Sequence, residues 1–301
     1  MRIAVTGSSG LIGSALVRSL LADGHQVVRL LRHRPEGAGA RADGSTESYW
    51  DPRRQQVDTA GLIGVEAVVH LAGAGVGDHR WTDAYKREIR ESRVLGTAAL
   101  AEALAGLDSK PSVLVSGSAI GFYGQTGDRV IDETAVPGDD FLSRVCQEWE
   151  DAAQPAADAG IRVVHPRTGL VVASGGGAWG RMFPLFRLGL GGRLGSGRQY
   201  WSFVSLRDEV AALRFLVDGE LSGPVNLTAP EPVTNREVTA AMGRVLRRPT
   251  PFPVPEAALR AVLGEFAVEV VGSHRVVPSR LLEAGFRFTD PTIDQAVAAA
   301  L

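Results

Sequence analysis

The first half of the chain alternates short apolar runs with longer stretches in which apolar residues recur every three or four positions. The apolar runs are RIAVTG, QVVRLLR, EAVVHLAG, SVLVSGS and IRVVHPRTGLVV. Continuous runs of this kind are typical of strands buried on both faces of a sheet, and the periodicity between them is typical of amphipathic helices. The order strand, helix, strand predicts an α/β fold, a doubly wound parallel sheet whose right-handed crossovers place helices on both faces.

This alternation stops near residue 173. Glycine-rich and proline-rich segments then interrupt the apolar runs: SGGGAWG, LGLGGRLGSGRQ and PTPFPVPEAAL. These segments are too short to be disordered linkers. We therefore expect a main domain over residues 1–173, which also takes in parts of 200–228, and a smaller α/β lobe over residues 174–301 on the carboxyl edge of the sheet.

A glycine triplet, Gly7, Gly10 and Gly13, joins the first predicted strand to the first predicted helix in GSSGLIG. In an open parallel sheet, such a turn brings free N–H groups at a helix N-terminus close to a pyrophosphate. The spacing is one residue wider than G-x-G-x-x-G, and a plain strand-to-helix turn is the alternative interpretation. Its place in a strand-turn-helix unit favours a dinucleotide site of the Rossmann type. Ser9, Leu11 and Ile12 are predicted to contact the cofactor beside these glycines.

The end of the second predicted strand, VVRLLRHRPE, predicts which dinucleotide binds. A carboxylate at this position accepts from the ribose 2′-OH of NAD(H), whereas an arginine binds the 2′-phosphate of NADP(H). Arg32 stands there, so NADP(H) is favoured over NAD(H). Arg29 and Arg34 are predicted to lie on a solvated basic face instead.

Composition limits which partners and which cellular compartment are expected. The 301 residues carry a net charge of −2, which gives no reason to expect a nucleic-acid partner. The single cysteine, Cys146, excludes an internal disulfide, and the six histidines show no metal-ligand spacing, so no metal site is expected. The chain has no secretory leader pattern and no long apolar run. We expect a cytoplasmic monomer or homodimer with a small-molecule substrate and no membrane partner.

Several motifs together resemble one family. GSSGLIG, HLAGAGV and SGSAIGFYG resemble the extended short-chain dehydrogenases/reductases. RWTDAYKREIRESRVLGT, FLSRVCQEWE and VVPSRLLEAGFRF resemble its atypical epimerase-like branch, which has a short C-terminal domain of unknown function, here at about residues 248–297. The resemblance implies an oxidoreductase or epimerase that uses a nicotinamide cofactor and acts on a carbonyl, carbinol or sugar-nucleotide substrate.

The resemblance also implies roles for individual residues. Leu71, Ala72 and Gly73 would lie against the cofactor, although a buried turn that needs small residues explains them equally well. Pro166 and Thr168 would lie beside the nicotinamide, and Arg167 is either a further contact or a structural ion-pair residue.

On the substrate side, the resemblance implies that Ser118 hydrogen-bonds a substrate oxygen. Ser116 would lie at the end of the preceding strand, beside the cofactor. Arg198 and Trp201, in RQYWSFVSLRDEV, would line the substrate cleft.

One expected feature is missing. The family transfers hydride with a Tyr-x-x-x-Lys pair, in which the lysine lowers the tyrosine pKa. The residues four positions after Tyr49, Tyr85, Tyr123 and Tyr200 are Arg53, Ile89, Gly127 and Val204. No such pair exists in the chain.

Alignment of the helix that should carry the pair puts Leu142 and Cys146 in its two positions. Cys146 is predicted to be a buried small hydrophobe. Arg93 stands where the family often has asparagine. Tyr123 is the remaining candidate proton donor, and the alternative for it is packing with a hydrogen-bonded hydroxyl.

Two functions therefore stay open from the sequence. The first is an NADP(H)-dependent oxidoreductase or epimerase in which Ser118 orients the substrate oxygen and Tyr123 supplies the proton. The second is a binding protein that senses NADP(H) without turnover.

Overall fold

The computed structural model describes residues 1–34 and 40–301. The strands are β1 Arg2–Thr6, β2 Gln26–Leu31, β3 Thr46–Asp51, β4 Gln56–Val57, β5 Ala67–His70, β6 Val113–Ser116, β7 Ser118–Ala119, β8 Arg162–Thr168, β9 Leu170–Val172, β10 Tyr200–Trp201, β11 Phe203–Ser205, β12 Gly223–Leu227 and β13 Val233–Thr234. The α-helices are α1 Leu11–Ala22, α2 Asp83–Ala105, α3 Phe141–Asp151, α4 Gln154–Asp158, α5 Gly177–Arg187, α6 Leu206–Asp218, α7 Asn235–Leu246, α8 Glu256–Leu263, α9 Ala267–Val271, α10 Ser279–Glu283 and α11 Ile293–Ala299.

The main sheet has the order β12-β8-β6-β5-β1-β2-β3-β4, with β7 paired beside β8. All pairs are parallel except β3 with β4. After β1 the chain builds outward through β2 and β3, then returns to the other side of β1 with β5. The predicted doubly wound fold is confirmed, and its switch point lies between β1 and β5.

Apolar side chains cover both faces of this sheet. On one face, Leu16 and Val17 of α1 and Leu213 of α6 pack against the sheet. On the other face, Leu100 and Leu104 of α2 join the sheet residues in a second core. Burial on both faces explains why the strands are continuous apolar runs rather than alternating ones.

The lobe beyond residue 173 has a core of its own. Trp179 and Phe183 of α5 pack there with Phe203 and with Met242 of α7. The strand pair β10–β13 lies in this region, β11 pairs with β9 just before residue 173, and β12 returns to the main sheet. The main sheet therefore takes a strand from beyond residue 173. None of the helices that the structure describes is both long and apolar enough to cross a membrane.

Candidate cofactor and substrate site

The turn between β1 and α1 is built by the three glycines. Gly7 has φ +63°, and a Cβ there would lie 2.8 Å from the backbone carbonyl of Leu71. A Cβ on Gly13 would lie 2.2 Å from the Gly7 oxygen, so glycine is needed for α1 to approach the turn. Among the residues that the structure describes, a Cβ at Gly10 would meet only the Gly7 oxygen, at 3.2 Å, and Gly10 is exposed. Gly7 and Gly13 thus allow the backbone segments to pack closely, whereas Gly10 leaves open the space in front of α1.

The start of α1 fits an anionic cofactor. Gly10 is the residue that precedes the helix, no side chain in the described part of the chain caps the first N–H groups, and the first turn carries no acidic residue. An uncapped N-terminus without carboxylates suits a phosphate group. Ser9 is exposed beside it, and Leu11 and Ile12 are partly buried. The open space at Gly10 and the free N–H groups together make a cradle that accepts a pyrophosphate.

A hydrogen-bonded pair joins the turn to the neighbouring strand. Thr6 Oγ1 accepts from the backbone N–H of Leu71, at 3.0 Å, and of Ala72, at 3.2 Å. Its own hydrogen therefore goes to Nδ1 of His70, 2.7 Å away. Burial, and then the Arg93 charge, lower the pKa of His70 to about 4, so the ring is neutral. This pair was not predicted from the sequence, although each of the two polar residues ends an apolar run.

The basic residues at the end of β2 have different surroundings. Arg32 is exposed just beyond the strand, where it was predicted to read the 2′-phosphate. Arg34 is also exposed and lies over the Tyr49 ring, 5.0 Å from its centroid. The prediction for Arg29 was wrong: its side chain is only 14% exposed and pairs with Asp43. Because Nη1 of Arg29 donates to the Ser8 carbonyl, at 3.2 Å, this arginine braces the glycine turn.

The turn after β5 lies against α2. A Cβ on Gly73 would lie 3.2 Å from Cζ of Arg93, so the glycine admits the guanidinium. Nη1 of Arg93 donates to the carbonyls of Ala74, at 2.9 Å, and Ile89, at 3.0 Å. Leu71 and Ala72 lie against the glycine turn, because a Cβ on Gly7 would meet the backbone of both residues. The predicted cofactor residues 71–73 thus lie at the switch point, next to a cation.

Ser118 lies in a buried polar network. Its Oγ donates to Oε1 of Glu150, at 2.6 Å. Arg167 forms two hydrogen bonds with the same carboxylate, at 2.8 and 2.7 Å, and the two side chains are 4% and 11% exposed. Arg167 is therefore the structural ion-pair residue of the two alternatives.

The network continues from Arg167 to Tyr123. Nη1 of Arg167 donates to the Tyr123 hydroxyl, at 3.0 Å, and this hydroxyl donates to Oδ1 of Asn226, at 2.7 Å. The backbone N–H of Asn226 in turn donates to the buried Glu133. Arg167 also stacks on Phe122, with Cζ 3.3 Å from the ring centroid. Strand register places these side chains in a row, because Ser118 pairs with Arg167 on β8 and Arg167 pairs with Asn226 on β12. We refer to Ser118, Glu150, Arg167, Tyr123 and Asn226 as the Ser118 row.

The electrostatics of this row differ from those of a tyrosine activated by lysine. Burial raises the pKa of Tyr123, and the Arg167 charge opposes this only in part. Burial, the largest single effect, would lower the pKa of Arg167, but the hydrogen bonds and charge of Glu150 together with Tyr123 outweigh it and raise the pKa. Tyr123 is 5% exposed, and its hydroxyl is already engaged on both sides. The contacts match the packing alternative, and a catalytic role for Tyr123 and Ser118 stays a prediction.

The helix α3 supplies no replacement acid or base at the two aligned positions. Leu142 is apolar and lies beside Gly121. Cys146 is 4% exposed, and burial raises the pKa of its thiol to about 12. Cys146 is thus the buried small hydrophobe that the sequence predicts.

Three further predicted cofactor residues, Ser116, Pro166 and Thr168, lie in strands of the main sheet. Ser116 is fully buried at the end of β6, and Pro166 is buried within β8. Thr168 ends β8, and its hydroxyl lies 2.8 Å from Oε1 of Glu209 on α6. Burial raises the pKa of Glu209 to about 8, so this carboxyl is largely protonated at neutral pH. Glu209 was not predicted from the sequence, because an acidic residue in a polar helix turn carries no sign of its burial.

The two residues predicted to line the substrate cleft lie in unlike places. Trp201 is 6% exposed and packs edge-on against Trp179, with the ring centroids 6.2 Å apart. The structure thus makes Trp201 a core residue of the lobe, because neighbouring aromatic residues cover its indole. Arg198 is exposed, and its role in substrate binding stays a prediction.

A glycine turn at the switch point of a doubly wound sheet defines the class of Rossmann-type α/β proteins. Residues 3–227 match the model of the NAD dependent epimerase/dehydratase family, and residues 254–300 match a domain of unknown function, DUF1731. The first match spans most of the chain, so this protein belongs to the NAD dependent epimerase/dehydratase family. The resemblance found in the motifs is confirmed.

Relatives of the same length share this assignment. The chain is 47% identical over 300 residues to the epimerase family protein Mb2239 of Mycobacterium bovis, a match that covers 99% of this chain and 97% of the relative. It is 32% identical over 302 residues to the epimerase family protein SDR39U1 of Homo sapiens, with 99% and 98% covered.

Solved structures agree with the fold. The crystal structure of human SDR39U1 (isoform 2) with NADPH superposes with a TM-score of 0.89 at 31% identity, covering 99% of this chain and 98% of that one. The Thermus thermophilus UDP-glucose 4-epimerase, in complex with NAD, gives a TM-score of 0.76 at 22% identity, with 100% and 98% covered. At that identity the second likeness supports the fold alone.

Proposed function

We propose that this protein binds NADP(H) in the cradle at Gly10 and transfers hydride between the nicotinamide and a small carbonyl or carbinol substrate. Sugar nucleotides are the narrower substrate class. The observation that carries the proposal is the uncapped start of α1 behind an open Gly10, at the switch point of the sheet. Arg32, exposed at the end of β2, supports the preference for the 2′-phosphate, as does the relative whose structure was solved with NADPH.

In this reaction the bound cofactor supplies or accepts the hydride, and the chain binds, orients and excludes water. Ser118 gives its hydrogen to Glu150, so its oxygen faces a substrate only as an acceptor. It would therefore orient a carbinol O–H rather than polarise a carbonyl. Tyr123 would donate a proton to a substrate only by giving up its hydrogen bond to Asn226.

A second candidate function is favoured by the network itself. Ser118 and Tyr123 are both tied to partners, and α3 carries Leu142 and Cys146 at the two aligned positions. A protein that binds NADP(H) and senses its redox state would need the cradle and no free proton donor. Turnover separates the two functions.

The test is a titration of the purified protein with NADPH and with NADH, followed by nicotinamide fluorescence. The NADPH complex is then incubated with a panel of small carbonyls, and the NADP⁺ complex with the matching carbinols. Turnover in either direction supports the enzyme, and Ser118→Ala should slow carbinol oxidation by about tenfold or more, because it removes the acceptor for the carbinol O–H. Tight binding without turnover supports the sensor. Failure to bind either nucleotide would overturn both functions.

The preference for NADP(H) has its own test. We expect Arg32→Glu to weaken NADPH by about tenfold or more and NADH by less than about threefold, because one charge-assisted contact to the 2′-phosphate is lost. Arg34→Glu is the matched control, since Arg34 is equally exposed two residues away and lies over Tyr49. Equal losses for NADPH and NADH in Arg32→Glu would remove Arg32 from the 2′-phosphate site.

A further inference from the structure

Arg93 on α2 is a partly buried cation that no carboxylate of the described residues pairs with. Among the described residues, only Nη1 of Arg93 has hydrogen-bond partners, the carbonyls of Ala74 and Ile89, at 2.9 and 3.0 Å. The guanidinium lies 5.0 Å from the centroid of the Trp149 ring, and burial lowers its pKa. Its Nε and Nη2 have no hydrogen-bond partner in the part of the chain that the structure describes. Charges removed from water are normally paired, so this arrangement is poised for a ligand.

The position of Arg93 indicates which ligand group it meets. The guanidinium lies against Gly73, which follows β5, because a Cβ on Gly73 would be 3.3 Å from Nη1. A dinucleotide crosses the switch point with its two halves on opposite sides. Arg32 marks the adenosine side, at the end of β2. Arg93 stands on the opposite side, over β5 and against Trp149 of α3.

We propose, on the basis of the function proposed above, that Arg93 binds the nicotinamide half of the dinucleotide through its free Nε and Nη2 donors. Guanidinium donors suit ribose hydroxyls and phosphate oxygens, and the contact would supply the partner that the protein itself does not. The two departures from the family pattern, at Cys146 and at Arg93, are then connected. Cys146 on α3 replaces the lysine, and the cation that faces the cofactor comes from α2, where asparagine is often found.

The test compares two ligands that differ in the half at issue. NADPH carries the nicotinamide half, whereas 2′,5′-ADP carries only the adenosine half with its 2′-phosphate. We expect Arg93→Asn to weaken NADPH by about tenfold or more and 2′,5′-ADP by less than about twofold, since only NADPH loses a charge-assisted contact. Arg93→Lys, which keeps the charge, should recover part of the NADPH affinity. Arg90→Asn is the matched control, because Arg90 lies on the same helix, is exposed and pairs with Glu148.

A merely structural Arg93 gives a different pattern. Equal weakening of both ligands in Arg93→Asn would overturn the proposal, as would unchanged NADPH affinity, and the retained 2′,5′-ADP affinity shows that the variant is folded. If the wild-type protein binds neither ligand, the proposed function itself fails. If it binds both and Arg93→Asn leaves their ratio unchanged, only the inference about Arg93 fails.

Discussion

The glycine turn and the Ser118 row lie at the same edge of one sheet but are built in opposite ways. At the turn, the site consists of backbone groups. Gly10 leaves space in front of α1, and no side chain of the described residues caps the helix. In the row, Ser118, Arg167 and Tyr123 are present and satisfied by one another. In the proposed function, a cofactor would enter the first without displacing any side chain of the described residues, whereas a substrate would compete with Glu150 and Asn226 in the second.

This difference separates binding from catalysis in the molecule. The turn retains the features that a pyrophosphate needs, while the polar residues that would handle a proton have structural partners. Arg93 belongs with the first region, because it still has donors to offer. We therefore expect substitutions in the row to lower the free energy of unfolding and substitutions at the turn to lower the affinity for the cofactor.

The row should respond most strongly to loss of its carboxylate. We expect Glu150→Ala to lower the free energy of unfolding by about 3–5 kcal/mol, because it leaves Arg167 buried without a counter-charge. Glu148→Ala, on the same helix, breaks only an exposed pair with Arg90 and should cost less than about 1 kcal/mol. Urea denaturation measures both. Similar losses in the two variants would mean that the row does not hold the fold.

Glu209 links α6 to Thr168 and should give the protein a pH-dependent stability. Its pKa is raised from 4.5 to about 8 in the folded state, so the folded state binds the extra proton between these values. Stability is then fully present below about pH 4.5 and is lost as pH rises towards 8.

Glu209→Gln should remove this loss. We expect the wild type to lose on the order of 3 kcal/mol relative to the variant between pH 5 and pH 8, measured by urea denaturation across that range. Parallel pH profiles for the two proteins would show that Glu209 is ionised at neutral pH in the folded state.

The glycines of the turn should divide into a packing position and a binding position. Gly13→Ala places a Cβ 2.2 Å from the Gly7 oxygen, and we expect a loss of about 1–3 kcal/mol in the free energy of unfolding. Gly10→Ala meets only the Gly7 oxygen, so its stability cost should be about 1 kcal/mol or less, while NADPH affinity falls about tenfold or more. Thermal unfolding and NADPH titration of both variants give the comparison. A Gly10→Ala protein that binds NADPH normally would move the cofactor site away from this turn.

Residue order alone was enough to predict the doubly wound parallel sheet, five of its apolar strand runs and the glycine turn, but not β3, β4 or β12. These features are local: a buried parallel strand is a short apolar run, and a turn that admits a phosphate needs small residues between a strand and a helix. The absence of a Tyr-x-x-x-Lys pair is equally visible, because such a pair is defined by spacing along one helix.

The row and the Arg93 contact depend on residues that are far apart in the chain. Tyr123 and Asn226 are 103 positions apart, and Ser118 and Glu150 are 32 apart. Strand register brings Ser118, Arg167 and Asn226 side by side, and packing of α2 against the Gly73 turn places Arg93. A polar residue has the same letter whether it faces a ligand or a buried partner. Long-range packing fixes its environment, and with it the pKa and the donors that remain free, so folding decided which polar residues stay available for chemistry.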